Sequence, residues 1–347
     1  MIKKLLASTS LKIDSYNEVD FQGDPGSYYY KIISQNKDLF IKIYDQTREN
    51  DFNNEVVNYD LLSTKINNLP RRHSYSKQGE FSYIIYDFID GESLYSKNNN
   101  GELNKKYYST LIKNIAQIQS IIDSDLITQT TLEWFKKEFI NNIQGISSVK
   151  SELYEAYKQV DHIVQDIVSK YPGIYSDRNP RNVLISNTGE TFNIDFEVLF
   201  KCSPIFDLIK LTRNGTDFKE TPDVFSEKLH IFSRQYELEL FKKFIYDIYD
   251  NSEQKLSTTN AEHLSYIYDA CCLFVHLLYV GYCSSELSRQ ENIIKYNRQK
   301  YHLLSAIDSI DKILNSGIGL EKSGLVNLQL LLKKVSLSQN GVLSLNK

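Results

Sequence analysis

The sequence is short of the features that mark several broad protein classes. It has four cysteines, Cys202, Cys271, Cys272 and Cys283, and none are paired at a metal-ligand spacing. This argues against a paired-cysteine zinc framework. Cys271 and Cys272 fall in an apolar, helical-looking stretch, so the thiols are expected to be reduced core groups. Charge of one sign is also lacking. A formal net charge of −4 gives no general attraction to nucleic acid or to an anionic membrane, so any polyanion must be held locally. The longest apolar stretch, Tyr266 to Tyr282, carries Asp269 and His276 and stops about a turn short of a membrane span, so it reads as a core helix. The start, Met1-Ile-Lys-Lys-Leu-Leu-Ala, turns polar too soon for a secretory h-region, and a cytoplasmic location is expected. Internal repeats are absent, and low complexity is confined to Asn98-Asn-Asn100.

What is present is an ordinary globular composition, 41% hydrophobic and 24% charged, in a chain long enough for one large domain or two lobes with cores of their own. Ser27 to Ile33, Asp38 to Tyr44 and Phe81 to Tyr86 are rich in β-branched and aromatic residues and read as strands. Between them Phe52, Val56, Tyr59, Leu62 and Ile66 recur at intervals of three and four, the spacing of one buried helical face. A boundary is expected near Asp87-Phe-Ile-Asp-Gly91, separating an amino-terminal lobe, 1–88, from a carboxy-terminal one, 89–347. Helical periodicity dominates the second lobe, through Tyr107 to Ile122, Trp134 to Ile143, Leu153 to Tyr171 and several segments from Val224 onward. The exception is a strand pair, Asn182 to Ser186 and Thr191 to Phe196, joined by Asn187-Thr-Gly189-Glu.

That hairpin carries the chemistry. Asp177, Asn182 and Asp195 offer oxygen groups suited to orienting a hydroxyl and holding magnesium on a triphosphate. Spacing alone is weak support, but Gly189 permits the turn that brings Asn182 and Asp195 together, and Pro180 holds the loop of Asp177. Upstream, Lys42 lies mid-strand between apolar neighbours, placed to meet phosphates, and Glu55 on the following helix is placed to fix its ammonium. Phe21-Gln-Gly23-Asp-Pro-Gly26-Ser27 precedes the next strand as a phosphate-covering turn would, with Ser27 and nearby amides as donors. An ordinary hairpin turn explains it equally well. Arg178 and Arg181 flank Asp177, as surface charges or as stabilisers of a transferred phosphate.

Taken in order, Lys42, Glu55, Tyr86 to Gly91, Ser176-Asp177-x4-Asn182-Val-Leu-Ile and Ile194-Asp195-Phe-Glu197 resemble the aminoglycoside phosphotransferase and choline kinase superfamily. Ser203-Pro-Ile-Phe-Asp207-Leu extends the likeness, with Asp207 as an acid supporting the loop. The resemblance implies an α+β, bilobal protein-kinase-like fold, with a small β-sheet lobe carrying one helix and a large, mostly helical lobe. It implies Asp177 as catalytic base, Asn182 and Asp195 as magnesium ligands, Lys42 and Glu55 as the phosphate clamp, and adenine bound by the backbone around Asp87 and Ile89. The implied reaction moves the γ-phosphoryl group of ATP, or of GTP, to a hydroxyl of a small cationic molecule such as an aminoglycoside antibiotic or an amino alcohol. Candidate acceptor carboxylates are Glu197 and, in Tyr266-Ile-Tyr-Asp269, Asp269. Where the family usually has His-Gly-Asp this chain has Tyr175-Ser176-Asp177; Tyr175 is expected to substitute by packing and one hydrogen bond. Two alternatives stay open. A protein kinase is disfavoured by the eleven residues between Asp195 and Asp207, too few for an activation loop, and a non-catalytic nucleotide-binding scaffold is motivated by the missing histidine.

Overall fold

The computed structural model describes residues 6, 11–19, 26–99, 105–119, 150–213, 233–250, 261–289, 293–318 and 322–345. Three strands follow the β-branched and aromatic runs: β2 (Ser27–Ser34), β3 (Lys37–Asp45) and β5 (Phe81–Asp87). Two more close the antiparallel sheet at its edges, β1 (Ile13–Glu18) beside β2 and β4 (Arg72–Gln78) beside β5. The edge strands are polar because only part of each is covered, so no apolar alternation announced them. Gln35 and Asn36 both take positive φ in the two-residue β2–β3 turn, the conformation that matches strand twist.

Ile32, Ile41, Ile43 and Ile85 are fully buried on the sheet, and each such side chain stabilises by about 1.5–3 kcal/mol relative to exposure. From Ile41 to Tyr44 every residue of β3 is buried, so both of its faces are covered there. Lys42 therefore does not look into solvent, as alternation on a half-exposed strand would require. The inserted helix, Glu49–Ser63, follows a 3₁₀ turn, Gln46–Arg48, capped by Asp45. It buries Phe52, Tyr59 and Leu62 as its period predicts, and Glu55 with them.

A second, three-stranded sheet joins β6 (Gly91–Ser93), β8 (Val183–Ser186) and β9 (Thr191–Asn193) in the order β6-β8-β9. The β8–β9 hairpin is the expected one. The chain divides into two compact units. The first comprises Met1–Lys97, Asn104–Ile121 and Pro180–Leu199, so the hairpin, on the carboxy-terminal side of the expected boundary in sequence, groups with the amino-terminal residues.

The other unit, Asn98–Leu103, Ile122–Asn179 and Phe200–Lys347, is mostly helical. Its described helices are Lys150–Lys170, Ile205–Arg213, Arg234–Ile245, Ala261–Arg289, Ile293–Asn315 and Ser323–Leu345, and β7 (Gly173–Tyr175) pairs with β10 (Phe200–Cys202). The expected helix over Trp134 to Ile143 lies outside the described residues. Contrary to the expectation that the apolar stretch from Tyr266 to Tyr282 falls short of a span, Glu262–Cys283 is long and apolar enough to cross a bilayer, but 89% of its apolar window is buried within the protein, as the expected core helix requires. All four cysteines are buried and none is in a disulfide.

At Gly91 the backbone of β8 lies where a side chain would start. A Cβ there would collide with the Ile185 carbonyl oxygen and lie 2.7 Å from Ser186 Cα. Gly91→Ala is expected to cost at least ~2 kcal/mol and lower the melting temperature by several degrees in a calorimetric scan.

Candidate active site

In the sheet-bearing unit the site is organised by one ammonium. Lys42 Nζ lies 2.7 Å from Glu55 Oε2, 2.9 Å from Glu197 Oε1 and 3.2 Å from Asp195 Oδ1. Burial alone would lower its pKa, but Asp195, Glu197 and Glu55 more than offset this and hold it well above the ordinary lysine range. Glu55 is fixed in turn by two hydroxyls, Tyr44 on the oxygen that meets Lys42 and Tyr86 on the other at 2.7 Å. Burial and that carboxylate raise both tyrosines well above 10, so both remain donors.

Asp195 follows β9 with φ 63°, and Asp177 has φ 53°; among the described non-glycine residues only the Gln35-Asn36 turn shares this conformation. Left-handed aspartates outside a tight turn mark places where the surroundings impose the backbone. For Asp195 those surroundings are visible. Asn58 donates to the Phe196 carbonyl at 2.7 Å, Ile194 N donates to the Asn182 carbonyl at 3.0 Å, and the Phe196 ring packs edge-on against Tyr59. Helix and hairpin thus hold Asp195 beside the lysine, and Asn182 is tied to the same hairpin.

Glu55, Asp195 and Glu197 bring ligand oxygens within 4.8 Å of one another. Glu197 also pairs with Arg48 at 2.6 Å. These three carboxylates, with Asp51 on Arg48 at 2.5 Å as a fourth, outnumber the cations Lys42 and Arg48, and burial pushes Glu197 up to about 7, with Lys42 opposing and Asp195 and Glu55 reinforcing. Hard oxygen donors with surplus negative charge fit a magnesium ion. Asp195, with a side chain 39% exposed, is the carboxylate best placed to reach one.

The expected adenine and phosphate contacts are positioned as follows. Asp87 ends β5, donates its amide to the Arg71 carbonyl and pairs its side chain with His73 at 2.6 Å; Ile89 is half-buried in the connection to β6. Ser27 opens β2 opposite Tyr44, but residues 21–25 of the turn before it lie outside the described residues.

Asp177 belongs to the helical unit, on the loop after β7. Tyr175 donates to its Oδ1 at 2.8 Å, so the hydrogen bond expected of Tyr175 is there. Burial, reinforced by Asp177 and Asp207, raises that phenol well above 10 and keeps it a donor. Asp207, fully buried at the start of Ile205–Arg213, accepts from Ser176 N and Arg178 N at 2.8 Å and from Ser176 Oγ at 2.9 Å. This is the loop-supporting acid the sequence anticipated. Arg178 is not a surface charge; it is 2% exposed and donates Nε to the Ser176 carbonyl. Arg181 stacks on Tyr95 at 4.5 Å.

Both candidate acceptor carboxylates already hold arginines. Asp269 is buried and receives two 2.6 Å bonds from Arg234, while Glu197 receives Arg48. Sequence reasoning missed Arg48 and Lys210. Arg48 lies 149 residues from its partner, and Lys210, which pairs with Asp177, is a lone lysine in a helix with no local signal to mark it.

No protein-family model and no curated protein matches the sequence. Solved structures do match in fold. Plasmodium vivax ethanolamine kinase aligns with a TM-score of 0.61 at 13% identity, covering 88% of this chain and 85% of its own. Choline kinase from Cryptosporidium parvum gives 0.57 at 14%, covering 87% and 92%. Spectinomycin phosphotransferase, crystallised with ADP and spectinomycin, gives 0.54 at 15%, covering 94% and 96%. The chain therefore has the bilobal, protein-kinase-like α+β fold of these proteins.

Two measurements probe the site's charges. Lys42→Met leaves Glu55, Asp195 and Glu197 without their shared cation, Arg48 being divided between Glu197 and Asp51, and is expected to cost ~3 kcal/mol or more in urea unfolding; Glu55→Gln keeps that cation and should cost clearly less. Burial pushes Asp207 up to about 6, opposed mainly by the Arg178 amide and charge. Its proton therefore returns as pH falls through 6 and weakens its hold on Ser176 and Arg178. Turnover should show an acid limb near that pH, and Asp207→Asn should be slow throughout and lack the limb.

Proposed function

We propose that the chain is a small-molecule kinase that uses ATP and magnesium to phosphorylate a hydroxyl group. The observation that carries this reading is the pair of imposed left-handed aspartates, one beside a buried Lys–Glu pair and the other on a braced loop. Those are the parts that phosphoryl transfer needs, because its catalysis is positioning and charge neutralisation more than covalent chemistry. Lys42, fixed by Glu55, would hold the triphosphate. Asn182 and Asp195 would hold magnesium, which when bound offsets the charge on the phosphates. Asp177 would accept a hydrogen bond from the acceptor hydroxyl and align its oxygen for in-line attack. The backbone at Asp87 and Ile89, with Ser27, would bind the nucleotide, and GTP remains a second donor to test.

The structural neighbours are kinases of spectinomycin, choline and ethanolamine, which supports a small-molecule acceptor. A cationic acceptor held by Glu197 or Asp269 has less support, since arginines occupy both. A cytoplasmic location and a role in antibiotic resistance are further parts of the proposal. A nucleotide-binding scaffold has one observation in its favour, the ion pair that Lys210 makes with the proposed base.

The deciding measurement is ADP release from ATP and magnesium across a panel of metabolites and antibiotics. Asp177→Ala should lower kcat on the best acceptor by ~100-fold or more while changing nucleotide affinity little. Unchanged turnover in that variant would remove Asp177 as base. Thermal stabilisation by ATP and magnesium with no turnover on any acceptor would favour the scaffold.

A further inference from the structure

The segment read as the base-binding linker is tied down on both sides within the sheet-bearing unit. Asp87 donates its amide to the Arg71 carbonyl at 2.9 Å, and Phe88 donates to the Asp38 carbonyl at 3.3 Å. Lys31 Nζ lies 4.3 Å from the centre of the Phe88 ring and pairs with Asp38 at 2.6 Å. At the far end Asn187, in the β8–β9 turn, donates its amide to the Asp90 carbonyl at 3.0 Å and its side chain to Asp90 Oδ2 at 2.8 Å. Ile89 lies between these ties.

A further tie comes from an irregular point of the sheet. Arg72 pairs with Tyr86 and Ser74 with Ile85, so β4 advances two residues while β5 advances one, and His73 is the extra residue. A bulge of this kind leaves one residue out of the ladder and re-aims its side chain. Here that side chain meets the linker, with His73 Nε2 2.6 Å from Asp87 Oδ1. An ionised carboxylate only accepts, so Nε2 carries the proton, and the contact holds for the neutral ring and for the cation alike. The two side chains are 22% and 45% exposed, and a pair so open to water adds little to the stability of the fold. Its consequence is local: it sets the direction in which Asp87 leaves the sheet.

We propose that His73 is a positioning residue for the nucleotide, holding Asp87 from the bulge so that the linker main chain at Asp87 and Ile89 is in place before the base arrives. This deepens the kinase reading and rests on it. Groups already fixed need no ordering on binding, and the avoided cost appears as affinity. His73 acts through the Asp87 carboxylate and not by touching the base. Its effect is bounded by the worth of an exposed pair, up to about fivefold in affinity, and it falls on the base rather than on the phosphates.

The test is calorimetric titration of the full chain, with magnesium, using two probes: a non-hydrolysable ATP analogue, and inorganic tripolyphosphate, which carries the phosphates without a base. His73→Ala should weaken the analogue about three- to fivefold and leave tripolyphosphate unchanged. His73→Gln, which can place an N–H near the same point, should restore most of the loss. Asp87→Ala should match His73→Ala, and the double variant should lose no more than either single one, because each removes the same interaction. Unchanged affinity for the analogue in a folded His73→Ala, an equal loss for tripolyphosphate, or additive losses in the double variant overturns the proposal. If His73→Ala does not fold, Asp87→Ala decides by the same comparison of probes. A wild-type protein that binds neither probe counts against the kinase reading itself, and the positioning role falls with it.

Discussion

A single ammonium, Lys42, is what the acidic cluster of the sheet-bearing unit depends on. Glu55, Asp195 and Glu197 come from a helix and a distant hairpin, and without a cation at their centre their mutual repulsion would drive those elements apart. A buried ion pair is weak support for stability in general, because desolvation consumes most of the Coulomb gain. Here the geometry goes further. Tyr44 and Tyr86 supply the hydrogen bonds that burial demands of Glu55, so its carboxylate has an acceptor role filled on both oxygens. The clamp is thereby set by the fold itself, and the helix carrying Glu55 has little freedom to withdraw it.

The helical unit meets the opposite problem in the same way. There a buried carboxylate, Asp207, gathers the main chain of the loop through Ser176 and Arg178, and Arg178 returns its own side chain to the Ser176 carbonyl. In one unit a cation orders acids; in the other an acid orders amides. Each leaves one aspartate in a backbone conformation that it would not choose alone.

How much of this was legible followed from where the signals were local. The strands around Ile32, Ile41 and Ile85 declared themselves because a covered sheet face selects β-branched residues, while β1 and β4, at open edges, had no such demand. Asp177, Asn182 and Asp195 stood out because they share one short stretch with a hairpin. Lys42 and Glu55 could be paired on a strand and the helix after it. Arg48 with Glu197 and Lys210 with Asp177 could not, since each joins residues far apart in sequence whose types are common on any helix surface. The arginines on Glu197 and Asp269 were hidden for the same reason: both carboxylates look available in sequence, and only three-dimensional contact reveals their partners.

Tyr175 explains why a loop without the usual histidine keeps its geometry. A histidine with an ordinary pKa near 6.5 changes charge and hydrogen-bonding role across the neutral range. The Tyr175 phenol, raised well above 10, is a fixed donor to Asp177 there, and its oxygen is still able to accept from Lys210. Tyrosine at this position thus gives the proposed base a neighbour that does not titrate near neutrality and that also contacts the Lys210 ammonium. Among the groups that brace the loop, Asp207, at about 6, responds to pH just below neutrality. The departure from the expected motif is therefore a change in the electrostatics of the loop rather than a loss of its support.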